Sequence, residues 1–227
     1  MNSFESTAPI LYAGAAIVPS YCLFDRAAQA RMSENPTRCL AFGPALYKGI
    51  YAAPGVAVIA GSQMIIQQQA ENYFKRFNSH TLTNQALSSM TAGALTAHLE
   101  YGFTQFTMGN YSPWKSMMQL SRKQAGLYAM RNGLAVFGIS SSSNAANRMK
   151  QYDMLPSKVV DYITAACTGG IGGILGHPFN AKIIEEAIRQ SGKTPPKISI
   201  TRGMGWRSAS VAAFATSYKI MQDISRT

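Results

Sequence analysis

Leu46-Tyr47-Lys48-Gly49 opens a stretch of mostly small and apolar residues from Ile50 to about Gln69. A reduced copy, Thr201-Arg202-Gly203, opens Met204 to Gln222. A blurred third copy, Leu127-Tyr128-Ala129-Met130, lies between them. An aromatic or polar residue, a base and a glycine ahead of such a stretch read as a helix start with a positively biased mouth. Found three times, the pattern is a repeat, and a repeat sets the fold class before any local reading.

Composition points the same way. Of 227 residues, 47% are apolar and only 14% charged, against roughly 25% charged in soluble domains. Small residues are abundant, as helix contacts in lipid prefer. The net charge is +11. The bases fall between apolar segments, as flanking charges of membrane helices do, and they form no single basic face for nucleic acid. Cys22, Cys39 and Cys167 are far apart, with no disulfide or metal spacing. Met1 to Pro9 contains no base, which argues against a secretory signal or an Arg-rich transit peptide.

No stretch reaches the roughly 18 consecutive apolar residues of a simple span. Six windows come close: Ala8–Phe24, Ile50–Gln69, Leu87–Met108, Leu127–Ala146, Val159–Phe179 and Met204–Met221. Each is long enough to cross a bilayer with some tilt. Their polar residues suit helices that turn one face to a protein interior. Charged links separate them: Arg26–Arg38, Glu71–Arg76, Lys115–Lys123, Arg148–Lys158 and Lys182–Arg202. A soluble helical bundle is the alternative, since the mean hydropathy is only -0.03.

The odd-numbered windows carry a second signal. Gly14, Gly93 and Gly169 are spaced by 79 and 76 residues. Nine residues after each glycine come Leu23-Phe24-Asp25, Gly102-Phe103-Thr104 and Pro178-Phe179-Asn180. A repeating helix pair fits all six windows.

This pattern resembles the mitochondrial carrier family, whose members have three tandem repeats of an odd helix, a matrix helix and an even helix opened by an aromatic–base–glycine motif. Tyr47-Lys48-Gly49 and the run Arg202-Gly203-Met204-Gly205-Trp206-Arg207 are similar to that opening. His177-Pro178-Phe179-Asn180 and Leu23-Phe24-Asp25 are similar to the family's odd-helix endings. The resemblance implies an all-α membrane protein of six transmembrane helices in three pseudo-symmetric repeats, at about 5–77, 84–153 and 156–227. It also implies a multi-pass protein of the mitochondrial inner membrane.

The departures from the family carry most of the functional expectation. Carriers close their matrix side with ion pairs between acids and bases at the odd-helix ends. The acid positions here read Asp25, Thr104 and Asn180, and the base positions Ala28, Thr107 and Ile183, so no latch of ion pairs forms. The family's substrate contact points, about two turns into each even helix, map to Val56, Phe137 and Ser210. None is charged, whereas anionic substrates need Arg or Lys there. The repeats are also shorter, with eleven residues between Arg31 and Gly43.

No catalytic constellation is visible, and no enzyme activity is expected. His80, His98 and His177 lie in different segments without metal-ligand spacing. His98 reads as an interior hydrogen-bonding residue, Glu185-Glu186 as a solvated link, and Gly169-Gly170-Ile171-Gly172-Gly173 as a close helix-packing face rather than a phosphate loop. Helix starts with free N–H groups bind phosphate. In the family such starts hold cardiolipin, so Tyr47, Lys48, Gly49, Arg202 and Gly203 are the expected sites for this anionic phospholipid.

The expected function is therefore structural. The chain is read as a non-transporting, lipid-binding accessory subunit of a respiratory-chain assembly, with cytochrome c oxidase or a supercomplex ranked ahead of ATP synthase. The alternative is an active, divergent carrier for a small neutral or cationic solute.

Overall fold

The structure is a computed structural model that describes residues 3–32, 42–107, 117–153, 155–190, 194 and 200–225. Among these residues it is built of helices: α1 (Ser3–Met32), α2 (Phe42–Phe74), α3 (Thr81–Thr107), α4 (Arg122–Ser140), α5 (Ser142–Lys150), α6 (Ser157–Gln190) and α7 (Met204–Ile224). The short α5 continues α4 past Ser141 and packs on α6. The six long helices form a closed ring. Each of α1, α2, α3, α4, α6 and α7 packs against its neighbour in chain order, and α7 packs against α1. Tyr12 of α1 and Ser225 after α7 fasten the closure, with their hydroxyls 2.5 Å apart.

Several boundaries differ from the sequence reading. α2 begins at Phe42, so Tyr47-Lys48-Gly49 lies inside the helix rather than ahead of it. Pro44 stands in the first turn, where its missing N–H costs nothing and its fixed φ suits the helix. α6 runs twelve residues beyond Pro178 to Gln190, so His177-Pro178-Phe179-Asn180 does not end it. Glu185 and Glu186 therefore sit on a helix, paired with Arg189 and Lys123, and not in a link. Ser121 starts α4 by a reciprocal cap: its hydroxyl accepts from the Gln124 N–H, and the Gln124 side chain accepts from the Ser121 N–H. Gly203 caps α7 with a left-handed φ of 80°, a conformation open to glycine at no steric cost.

Many polar side chains share the interior with the apolar core, and many large apolar ones stand outside. Ser20, Gln63, Gln67, Asn84, Ser88, Ser89 and Thr96 are buried, while Leu11, Ile50, Val58, Leu87, Leu95, Ile163 and Ile171 are exposed. The buried hydroxyls are satisfied locally, Ser20 donating to the Ala16 carbonyl and Thr96 to that of Ala92. Across helices, the Gln63 amide donates to the Thr96 hydroxyl at 3.0 Å. Water outside would expose a mostly apolar shell, and lipid outside would not. Among the described residues, three helices are long and apolar enough to cross a membrane: Thr7–Phe24 in α1, Leu46–Phe74 in α2 and Ser157–Glu186 in α6. That is compatible with a multi-pass membrane protein. The expected six spans meet this criterion only three times, because α3, α4 and α7 are diluted by polar residues.

Small residues let the helices touch. A Cβ on Gly93 would stand 2.6 Å from the Ala129 carbonyl oxygen, and one on Gly138 would stand 2.5 Å from that of Thr168. Gly14 meets Ala57 and Gly169 meets Ala215. Each of the three evenly spaced glycines thus abuts the next long helix. In the glycine-rich run, Gly169, Gly170 and Gly173 face α7 and Gly172 faces α4.

Candidate functional site

Inside the ring, α3, α4 and α6 are joined by one polar network centred on Arg131. Its guanidinium pairs with Glu100 of α3. It also donates to the side-chain oxygen of Asn132 from Nε at 3.0 Å and to that of Asn180, on α6, at 3.1 Å. Asn132 in turn donates to Glu100. The Arg131 guanidinium stands 4.9 Å from the centre of the Tyr128 ring, a cation–π distance. Arg131, Asn132 and Asn180 are all buried. The guanidinium keeps its charge under all conditions, and its fork of donors matches the carboxylate and two carboxamides offered.

Beside this network lies a cavity of about 250 Å³, walled by α1, α2, α3, α4 and α7. Its lining is mainly apolar, with Ile17, Phe24, Val56, Ile59, Phe103 and Val211 among it. Arg207 projects into it from the second turn of α7, its guanidinium 5.0 Å from the centre of the Phe24 ring. The Arg207 Nε is sealed from solvent and has no hydrogen-bond partner. Among the described residues no carboxylate pairs with Arg207. The cavity thus holds one compensated arginine and one uncompensated.

A second chamber, about 270 Å³, lies further along the ring axis. It is polar, lined by Gln67, Gln68, Glu71, Gln85, Lys219 and Gln222 among others. Glu71 is paired with Lys75 and Lys219 with Asp223. Met64 and Ile139 line both chambers. Met64 belongs with Ile17, Val136 and Phe214 to one packed apolar cluster, and Ile139 packs against it.

The residues expected from sequence are scattered over this architecture. Tyr47 and Lys48 are exposed on the outer face of α2, and Gly49 is buried against Val18 and Tyr21 of α1. Their N–H groups are inside the helix, so only the Lys48 charge is offered there to a phosphate. Arg202 is exposed at the mouth of α7, and its carbonyl accepts a 3.1 Å hydrogen bond from His177. Asp25 lies on α1, and its side chain is outside the described residues. The Thr104 hydroxyl donates to the Glu100 carbonyl of its own helix at 2.8 Å. Asn180 belongs to the Arg131 network.

Of the expected contact points, Val56 lines the cavity, but Phe137 and Ser210 do not. Their neighbours Val136 and Val211 do. One residue is about 100° around a helix: Phe137 is counted on from Met130, where the motif glycine is missing, and Ser210 from Gly203, and each stands one position from the cavity-lining residue. The Ser210 hydroxyl turns back to the Arg207 carbonyl at 2.8 Å. His98 is exposed rather than interior and bonds through Nδ1 to the Met117 carbonyl at 3.0 Å.

Sequence reasoning passed over Glu100, Arg131 and Asn132, and used Arg207 only as part of a motif. The signal was present: a charge within an otherwise apolar helical window faces a protein interior by default. Among the described residues no group of three or more His, Cys, Asp or Glu side chains is placed to hold a metal ion. No protein-family model, curated protein or solved structure matches this chain.

Proposed function

We propose that the chain is a divergent, carrier-like helical ring that no longer transports. It serves instead as a structural, lipid-associated subunit of a mitochondrial inner-membrane respiratory assembly, cytochrome c oxidase or a supercomplex ahead of ATP synthase. The observation that carries this reading is the Arg131 network, which ties α3, α4 and α6 together through buried charge. A transport cycle has to part helices. Breaking this network in a dry interior leaves charges unpaired, at a cost of about 3–5 kcal/mol. Glycine contacts with no room for a Cβ brace the same helices. Lys48, exposed within α2, and Arg202, exposed at the mouth of α7, suit the anionic headgroup of cardiolipin.

The test is mild-detergent extraction of mitochondrial membranes, native-gel separation and detection of this chain by mass. Comigration with a respiratory complex supports the subunit reading. A lone band near the 24.5 kDa of the chain plus detergent removes it. The inner cavity favours a second reading, a divergent solute carrier. Of the neutral and cationic solutes that reading allows, the Arg207 charge repels the cation. Substrate-specific uptake into proteoliposomes supports that reading.

A further inference from the structure

We propose that the inner cavity is a binding site for an amphiphilic anion, a single carboxylate or phosphate on a hydrocarbon body, with Arg207 as its counter-charge. Among the described residues, the titratable side chains on the cavity wall are Tyr21, Glu100, Arg131 and Arg207. Glu100 is committed to Arg131 and Asn132, so it does not neutralise Arg207. What remains on the wall is one positive charge with a sealed, unpartnered Nε and an aromatic ring against its face.

A guanidinium in apolar surroundings demands an anion, because burying an unpaired charge is among the most costly arrangements a fold contains. Water alone answers the demand poorly. Ile, Val and Phe make up much of the lining and hold water poorly, while the polar groups on the same wall, Glu100, Arg131 and Asn132, are already bonded to one another. The same wall rejects a small hydrophilic anion, which would lose its hydration shell against hydrocarbon. A ligand with one anionic end and an apolar body satisfies both halves of the site. The arginine fork suits carboxylate and phosphate alike, and the lipid bilayer is a ready source of either. The site does not depend on whether the chain is a subunit or a carrier.

The test uses the full chain, purified in non-ionic detergent and washed free of lipid. Its thermal midpoint is measured with palmitate, with lysophosphatidate, with hexadecanol and with inorganic phosphate. Palmitate or lysophosphatidate is expected to raise the midpoint by several degrees, and the more effective one names the headgroup. Hexadecanol and inorganic phosphate are expected to do little. Arg207→Leu is expected to melt no lower than the wild type without ligand, since it removes an unpaired charge, and to lose the shift. Its palmitate affinity should fall tenfold or more. An equal shift in Arg207→Leu, or a full shift with hexadecanol or phosphate alone, overturns the proposal, as does no shift with either amphiphile. If Arg207→Leu does not fold, radiolabelled palmitate on the wild-type protein decides: displacement by lysophosphatidate but not hexadecanol supports the site, and displacement by hexadecanol overturns it.

Discussion

Arg131 on α4 and Glu100 on α3 form an ion pair inside the ring, and Asn132 donates to the same carboxylate. Removing one partner leaves the other charged and buried. Glu100→Ala is expected to destabilise the protein by about 3–5 kcal/mol. The double variant Glu100→Leu with Arg131→Met, which removes both charges, is expected to recover most of that loss. Thermal unfolding in detergent measures both. A single variant within about 1 kcal/mol of wild type sinks the claim that this pair braces the ring.

The crossing of α3 and α4 rests on Gly93, where a Cβ would meet main-chain atoms that cannot move aside. Gly93→Ala is expected to cost about 1–3 kcal/mol through overpacking. Gly126→Ala on α4 is the control, since nothing lies within 4 Å of its Cβ. It is expected to be neutral or to stabilise by up to ~1 kcal/mol, as alanine is the better helix former. Unfolding of the two variants side by side checks the contrast.

At the mouth of α7, Gly203 holds its φ of 80°. Gly203→Ala is expected to cost about 1–2 kcal/mol, the penalty of a left-handed non-glycine residue. Gly203→Asn should cost less, because asparagine visits that region more readily. If the two variants melt alike, strain at this residue is not what glycine relieves.

Lys48, in the second turn of α2, and Arg202, at the mouth of α7, are exposed bases. Replacing both with glutamine is expected to lower the cardiolipin that copurifies, with each charge contributing about 1 kcal/mol of attraction to an anionic surface. Lipid mass spectrometry on matched preparations reads the effect. Unchanged cardiolipin would place the lipid elsewhere or nowhere.

The apolar outer shell predicts the behaviour of the whole chain. It is expected to stay in the membrane pellet after alkaline carbonate extraction. Recovery in the aqueous fraction would favour the soluble bundle that the mean hydropathy of -0.03 leaves open.

What the sequence made legible was helix content and spacing. The small-residue windows became long helices, and Gly14, Gly93 and Gly169 each lie against the next long helix. What it hid was helix phase and partners. α2 starts earlier than expected because Pro44 serves a first turn as well as it would end a helix. Phe137 and Ser210 each stand one residue from the cavity lining; for Phe137 the motif glycine that would set the count is missing, and for Ser210 the count from Gly203 does not fix the helix phase. Arg131 was overlooked because composition assigned the bases to links, and only the fold sets it beside Glu100 and Asn180. Arg207 was visible as a letter in a motif, but its lack of a partner is a property of three dimensions alone.

Met64, Val136, Ile139 and Phe214 fill the waist between the two chambers. In a bilayer, a voltage falls mainly across the layer of lowest dielectric. A few side chains of apolar matter would therefore carry most of the drop, worth about 2.3 kcal/mol per elementary charge for each 100 mV. The polar chamber, with Glu71 and Lys219, would stand near the potential of one solution. If the ring spans a bilayer with these side chains closed together, it would insulate rather than conduct.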